Sequence, residues 1–79
     1  MRNIKLIRII KEYTQIKVQM ETGISQSILS KYEQGLMMPT SENLIILAKF
    51  YNTSIDFLLD MTDEQKPYPA KRWNAIKKP

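Results

Sequence analysis

The chain has 79 residues, 43% of them hydrophobic, which allows one domain whose core buries only about 60–65% of the surface the unfolded chain exposes. It has no cysteine and no histidine, which excludes disulfides, the usual zinc sites and Ser-His or Cys-His nucleophilic pairs. The net charge of +4 is unevenly spread: residues 1–32 carry six bases against two acids, residues 33–65 one base against six acids, and residues 66–79 five bases and no acid. That distribution suits a polyanion meeting one end of the molecule, although an ordinary mixed surface is the alternative on charge alone.

Punctuation along the chain predicts five short helices. The first runs from Asn3 to about Tyr13, with Ile4, Ile7, Arg8 and Lys11 in one row at helical spacing and Leu6, Ile9, Ile10 and Tyr13 in a second, apolar row. Thr14 caps a second helix from Gln15 to Thr22, ended by Gly23, and Ser25 caps a third that runs to Gln34 before Gly35 stops it. After LMMP, Thr40 or Ser41 caps a fourth helix with Leu44, Leu47, Ala48 and Tyr51 inward, and Asn52 suits the left-handed turn at its end. Ser54 caps a last helix bearing Ile55, Leu58 and Leu59. The expected organisation is an all-α domain over residues 1–60, followed by a basic, proline-containing tail over residues 61–79. The longest apolar runs, such as LIILA, fall well short of the roughly 20 residues of a membrane span, so the expectation is a soluble, cytoplasmic protein with no membrane association.

The third helix carries the functional signal. On a wheel of about 100° per residue, Ile24, Ile28, Leu29 and Tyr32 share one arc, while Gln26, Ser27, Ser30 and Gln34 face away with Lys31 on their flank. A helix whose wet face carries small or uncharged hydrogen-bonding groups is suited to base edges in a major groove. Glutamine pairs bidentately with adenine, serine donates or accepts, and lysine reaches guanine or phosphate.

The stretch TQIKVQMETGISQSILSKYEQG resembles the helix-turn-helix of the Cro and phage-repressor type, the xenobiotic-response-element family of bacterial regulators. The resemblance runs from about Ile4 to Leu59 and includes Gln15 opening the second helix, GIS at the turn, YEQG closing the third, and NTSIDFLL at the end. It implies a five-helix fold like that of the lambda repressor. It also implies a transcriptional regulator, most simply a repressor, that binds a palindromic double-stranded DNA operator as a homodimer without enzymatic activity or cofactor.

By position, the resemblance implies base contacts from Gln26, Ser27, Ser30, Lys31 and Gln34, backbone contacts from Gln15, Lys17 and Ser25, and a structural ion pair between Arg8 and Glu33. No metal or catalytic residue is expected. The clustered acids Asp60, Asp63 and Glu64 read as solvated charges rather than a metal site.

Several positions depart from the family pattern. Gln19 stands where relatives carry a small alanine, so it must turn outward or widen the helix crossing, and Gln19→Ala is expected to be neutral or stabilising. Ile16 and Met20 replace usual charges and read as an interface patch or as scattered surface residues. Leu36, Met37 and Met38 replace basic residues and read as local core or dimer contact. Ile28 reads as core edge or as a contact to a thymine methyl. In the tail, Lys71, Arg72, Trp73, Lys77 and Lys78 form an arm on phosphates, or Tyr68 and Trp73 dock on the domain, or the segment stays extended and disordered. Two other functions fit the residues: an antitoxin or mobile-element immunity regulator with a protein partner, and an interaction module without useful DNA affinity.

Overall fold

The structure, a computed structural model, describes residues 1–67. The readings that involve Tyr68 and residues 71–78 fall outside them. Five helices follow in order: α1 (Arg2–Ile10), α2 (Gln15–Thr22), α3 (Gln26–Gln34), α4 (Ser41–Tyr51) and α5 (Ile55–Leu58). The all-α class expected from the sequence is what the chain adopts. Four helices begin in one way, with a hydroxyl accepting the backbone N–H three residues on: Thr14 from Lys17, Ser25 from Ile28, Thr40 from Asn43 and Ser54 from Phe57. Each bond satisfies one of the amides a helix start leaves without a partner.

The first helix is the exception. Met1 makes no side-chain cap, and the carboxylate of Asp60 takes that place, accepting from Arg2 N at 3.2 Å and Asn3 N at 2.7 Å. Asn3 is itself buried and donates through Nδ2 to the carbonyls of Phe57 and Thr62. Asp60 is therefore exposed, as expected, and in addition a structural cap for a helix at the other end of the sequence.

Helix α1 stops three residues short of its expected end. Lys11 is its last helical-type residue, Glu12 adopts a left-handed φ of 61°, and Tyr13 N returns to the Arg8 carbonyl. That pair of bonds, with Glu12 N to Ile9 O, is the Schellman arrangement that closes a helix.

The core joins Ile4 and Ile7 of α1, Val18 of α2, Ile24, Leu29 and Tyr32 around α3, Leu44, Leu47 and Tyr51 of α4, and Phe57 and Leu58 of α5. Of the two rows on α1, the one holding Ile4 and Ile7 faces inward, whereas Ile9 and Ile10 are 53% and 45% exposed. Ile28 is partly buried against the core, the core-edge place expected of it. Tyr13, Phe50 and Tyr51 form an aromatic cluster with centroids 5.1 to 6.4 Å apart, which fixes the α1–α2 connection against α4. Leu36, Met37 and Met38 are exposed, so the local-core reading of that segment does not hold. The residues after α5 return along the body, where Thr53 Oγ1 donates to the Gln65 carbonyl at 2.6 Å. No helix among the described residues is long and apolar enough to cross a membrane.

Candidate nucleic-acid interface

The geometry of α2 and α3 follows from the turn between them. Gly23 takes a φ of 79°, a conformation that costs a residue with a side chain roughly 1–2 kcal/mol. Thr22 Oγ1 donates to the Val18 carbonyl and accepts from Ile24 N, and Ile24 is buried. With Ile24, Leu29 and Tyr32 held in the core, Gln26, Ser27, Lys31 and Gln34 are exposed together on the other side of α3. Ser30 is half-buried and its Oγ accepts from Gln34 Nε2 at 2.7 Å.

Beneath that face lies a polar chain. Arg8 donates from Nε to Glu33 Oε2 at 2.7 Å, from Nη2 to Glu33 Oε1 at 2.9 Å, and from Nη1 to the Tyr13 carbonyl at 2.9 Å. The Glu33 side chain is 3% exposed and that of Arg8 14%, so the pair expected from the resemblance exists and is largely desolvated. The hydrogen bond to Glu33 raises the Arg8 pKa above its ordinary value and outweighs the opposing effect of burial. Gln15 Nε2 donates to Glu33 Oε1 at 3.1 Å, and Gln15 Oε1 accepts from Gln26 Nε2 at 3.4 Å. Arg8, Glu33, Gln15 and Gln26 thus link α1, α3 and the start of α2 through charge-assisted and amide bonds.

The other expected contacts are differently placed. Ser25 is exposed, and its hydroxyl is committed to the cap at Ile28 N and lies 3.4 Å from Ser27 Oγ. Lys17 pairs with Glu21 at 3.1 Å with both side chains about half exposed, a bond that contributes little and releases easily. Lys31 is exposed on α3. Ile16 and Met20 are 48% and 75% exposed on α2.

Two residues join the site that sequence reasoning left out or misjudged. Gln19 turns outward, as one of the two expected arrangements had it, and its Oε1 accepts from Gln26 N at 2.6 Å. It thereby satisfies the first amide of α3, a bond that argues against the expectation that Gln19→Ala is neutral or stabilising. The signal was a polar side chain seven residues before a helix start, but whether it reaches depends on the distance between α2 and α3. Lys5 is the second, and it lines an open cavity of about 290 Å³ together with Arg8, Gln15, Ser30, Glu33 and Gln34.

A family model described as helix-turn-helix matches residues 4–58, the span that holds all five helices except the first two residues of α1. The chain belongs to this helix-turn-helix family, of the Cro and phage-repressor type. A Bacillus subtilis (strain 168) protein named "Uncharacterized HTH-type transcriptional regulator YobD" is 29% identical over 66 residues, covering 84% of this chain and 59% of its own length. The chain therefore spans less than two thirds of that relative. No solved structure matches the chain. The two helices of the motif are here α2 and α3, with α3 the second of the pair.

Proposed function

We propose that the protein binds double-stranded DNA in a sequence-specific manner and regulates transcription, acting as a repressor by occupying a palindromic operator as a homodimer in the bacterial cytoplasm. The observation that carries this reading is the exposed face of α3, where Gln26, Ser27, Lys31 and Gln34 stand clear of the core with hydrogen-bonding heads and no apolar side chain among them. Membership of the helix-turn-helix family and the name of the B. subtilis relative support it.

Gln26, Ser27, Ser30, Lys31 and Gln34 address bases, and Gln15, Lys17 and Ser25 address the backbone. Gln26 arrives held at both ends, by Gln19 at its backbone and Gln15 at its amide, so little freedom is lost on binding. Two copies of α3 entering successive major grooves place the half-sites about 34 Å apart.

The test is selection from a randomised duplex library at two salt concentrations. Enrichment of an inverted repeat with one-turn spacing is the expected result. Retention at low salt that vanishes at higher salt, without any enriched sequence, would leave only phosphate attraction and refute specific recognition.

A second reading has its own observation: Leu36, Met37 and Met38 are 71%, 39% and 68% exposed directly after α3. Such a surface serves self-association or a protein partner, as an antitoxin or immunity regulator requires.

A further inference from the structure

We infer that Gln19 is the positioning residue for the start of α3: by accepting the Gln26 N–H it fixes Gln26 against one base pair and closes that end of the helix to phosphate. The inference rests on the DNA-binding reading above and adds to it a residue and the base pair whose recognition depends on it.

Gln15 and Gln19 lie one turn apart on α2, so their side chains share a face. That face meets the start of α3 at two levels. Gln19 Oε1 accepts from Gln26 N at 2.6 Å, and Gln15 Oε1 accepts from Gln26 Nε2 at 3.4 Å. Gln15 is itself tied to Glu33 Oε1, whereas the Gln19 side chain is exposed and its one hydrogen bond among the described residues is to Gln26. The short bond is the one that holds the main chain. Gln26 is the first residue of α3, and the Ser25 hydroxyl caps the amide of Ile28, two residues further in. Without the Gln19 oxygen, the Gln26 amide is one of the unpaired N–H groups of a helix start, where helices fray.

Fixing the main chain matters because of what Gln26 has left to offer. One Nε2 hydrogen goes to Gln15, and the other, with Oε1, is without a partner among the described residues. A donor and an acceptor on one amide match the N7 and N6 of adenine, a contact that requires both bonds to be met at once. A side chain held to within about 0.5 Å by its supports makes such a pair, and one on a fraying helix end does not. The Gln19 oxygen has a second effect. An unpaired amide at a helix start attracts an anion, and here that place is filled by a partially negative oxygen. The start of α3 is thereby reserved for base edges.

The experiment derives binding profiles by selection from a randomised duplex library for wild type, Gln19→Ala, Gln19→Glu and Gln26→Ala, with melting curves to establish that each is folded at the assay temperature. Gln26→Ala identifies the base pair that Gln26 reads. Gln19→Ala is expected to flatten preference at that pair by about fivefold or more and to leave the other pairs as they are. An unrelated duplex should be bound no more weakly than by wild type, and with no charge removed the salt slope should stay unchanged. Gln19→Glu keeps an oxygen acceptor for Gln26 N and adds a negative charge, so it should weaken every duplex alike while restoring the lost preference.

If Gln19→Ala weakens all base pairs evenly, or leaves the profile unaltered, Gln19 is only a strut between α2 and α3: the positioning role is refuted and the DNA-binding reading stands. Flattening at a pair that Gln26→Ala does not affect would assign Gln19 its own base contact and overturn that role. Failure of Gln19→Glu to restore the preference would overturn it too, by giving the part to Nε2 of Gln19 rather than to its oxygen. If wild type enriches no sequence, both readings fall together.

Discussion

Arg8 and Tyr51 show how much depends on single buried polar groups. Glu33 is enclosed, and its charge is tolerated because Arg8 meets it with two nitrogens. Arg8→Ala leaves that carboxylate without its cation and is expected to cost about 3–5 kcal/mol, enough to unfold much of so small a domain. A melting curve unchanged by the substitution would remove the pair from any account of stability. The hydroxyl of Tyr51 is the opposite case, since it is buried without a hydrogen-bond partner among the described residues. Burial first, and then the nearby Glu33 charge, push its pKa well above the usual value for tyrosine. Tyr51→Phe is therefore expected to stabilise by about 1 kcal/mol, the desolvation cost of an unpaired polar group. The sign with pH follows: the folded state keeps the phenol neutral while the unfolded one ionises near pH 10, so stability declines as pH rises above about 10. Chemical denaturation between pH 8 and 11, as approximate limits, should show a smaller decline for Tyr51→Phe than for wild type.

At the scale of helices, the sequence was most legible where a start or stop depends on one residue type. Thr14, Ser25, Thr40 and Ser54 cap as expected, and Gly23, Gly35 and Asn52 terminate α2, α3 and α4 in the left-handed conformation. Glu12 adopts the same conformation without the composition that announces it, and for that reason α1 was expected to run on to Tyr13, whereas Asp60 is of a type that tolerates it. Tertiary contacts impose these two turns, Tyr13 through its aromatic neighbours and Asp60 through the start of α1. The inner face of α1 was ambiguous for a related reason, because both of its rows contain isoleucine and only packing separates them.

The residue types of the candidate site were likewise legible on α3, but its bonds were not, because Gln19 reaches across the gap between α2 and α3 to Gln26 N. Glu12→Gly relieves the left-handed strain at some cost in unfolded-state entropy and should stabilise by about 0.5–1 kcal/mol, raising the melting temperature by a few degrees. Gln19→Ala should do the reverse, losing about 1 kcal/mol with the bond to Gln26 N. If calorimetry finds Gln19→Ala neutral, that bond is not stabilising in solution.

At the scale of the molecule, large apolar side chains stand in solvent among the described residues: Met20, Leu36, Met38 and Met61 are each at least 68% exposed, and Leu36 and Met38 lie in one segment. If the segment after α3 forms the dimer contact, replacing Leu36 and Met38 together by serine should weaken self-association by at least about tenfold without lowering the melting temperature, as measured by analytical ultracentrifugation. An unchanged dimer constant would place the contact elsewhere.

The cap that Asp60 provides for α1 also has a temporal side. A ribosome emits Arg2 and Asn3 long before Asp60, which follows Asn3 by 57 positions. In the meantime a nine-residue helix without its cap is too short to persist in water. The earliest made of these five helices is thus among the last to be secured, and a nascent chain halted before residue 60 carries an α1 that frays, however complete α2 and α3 have become.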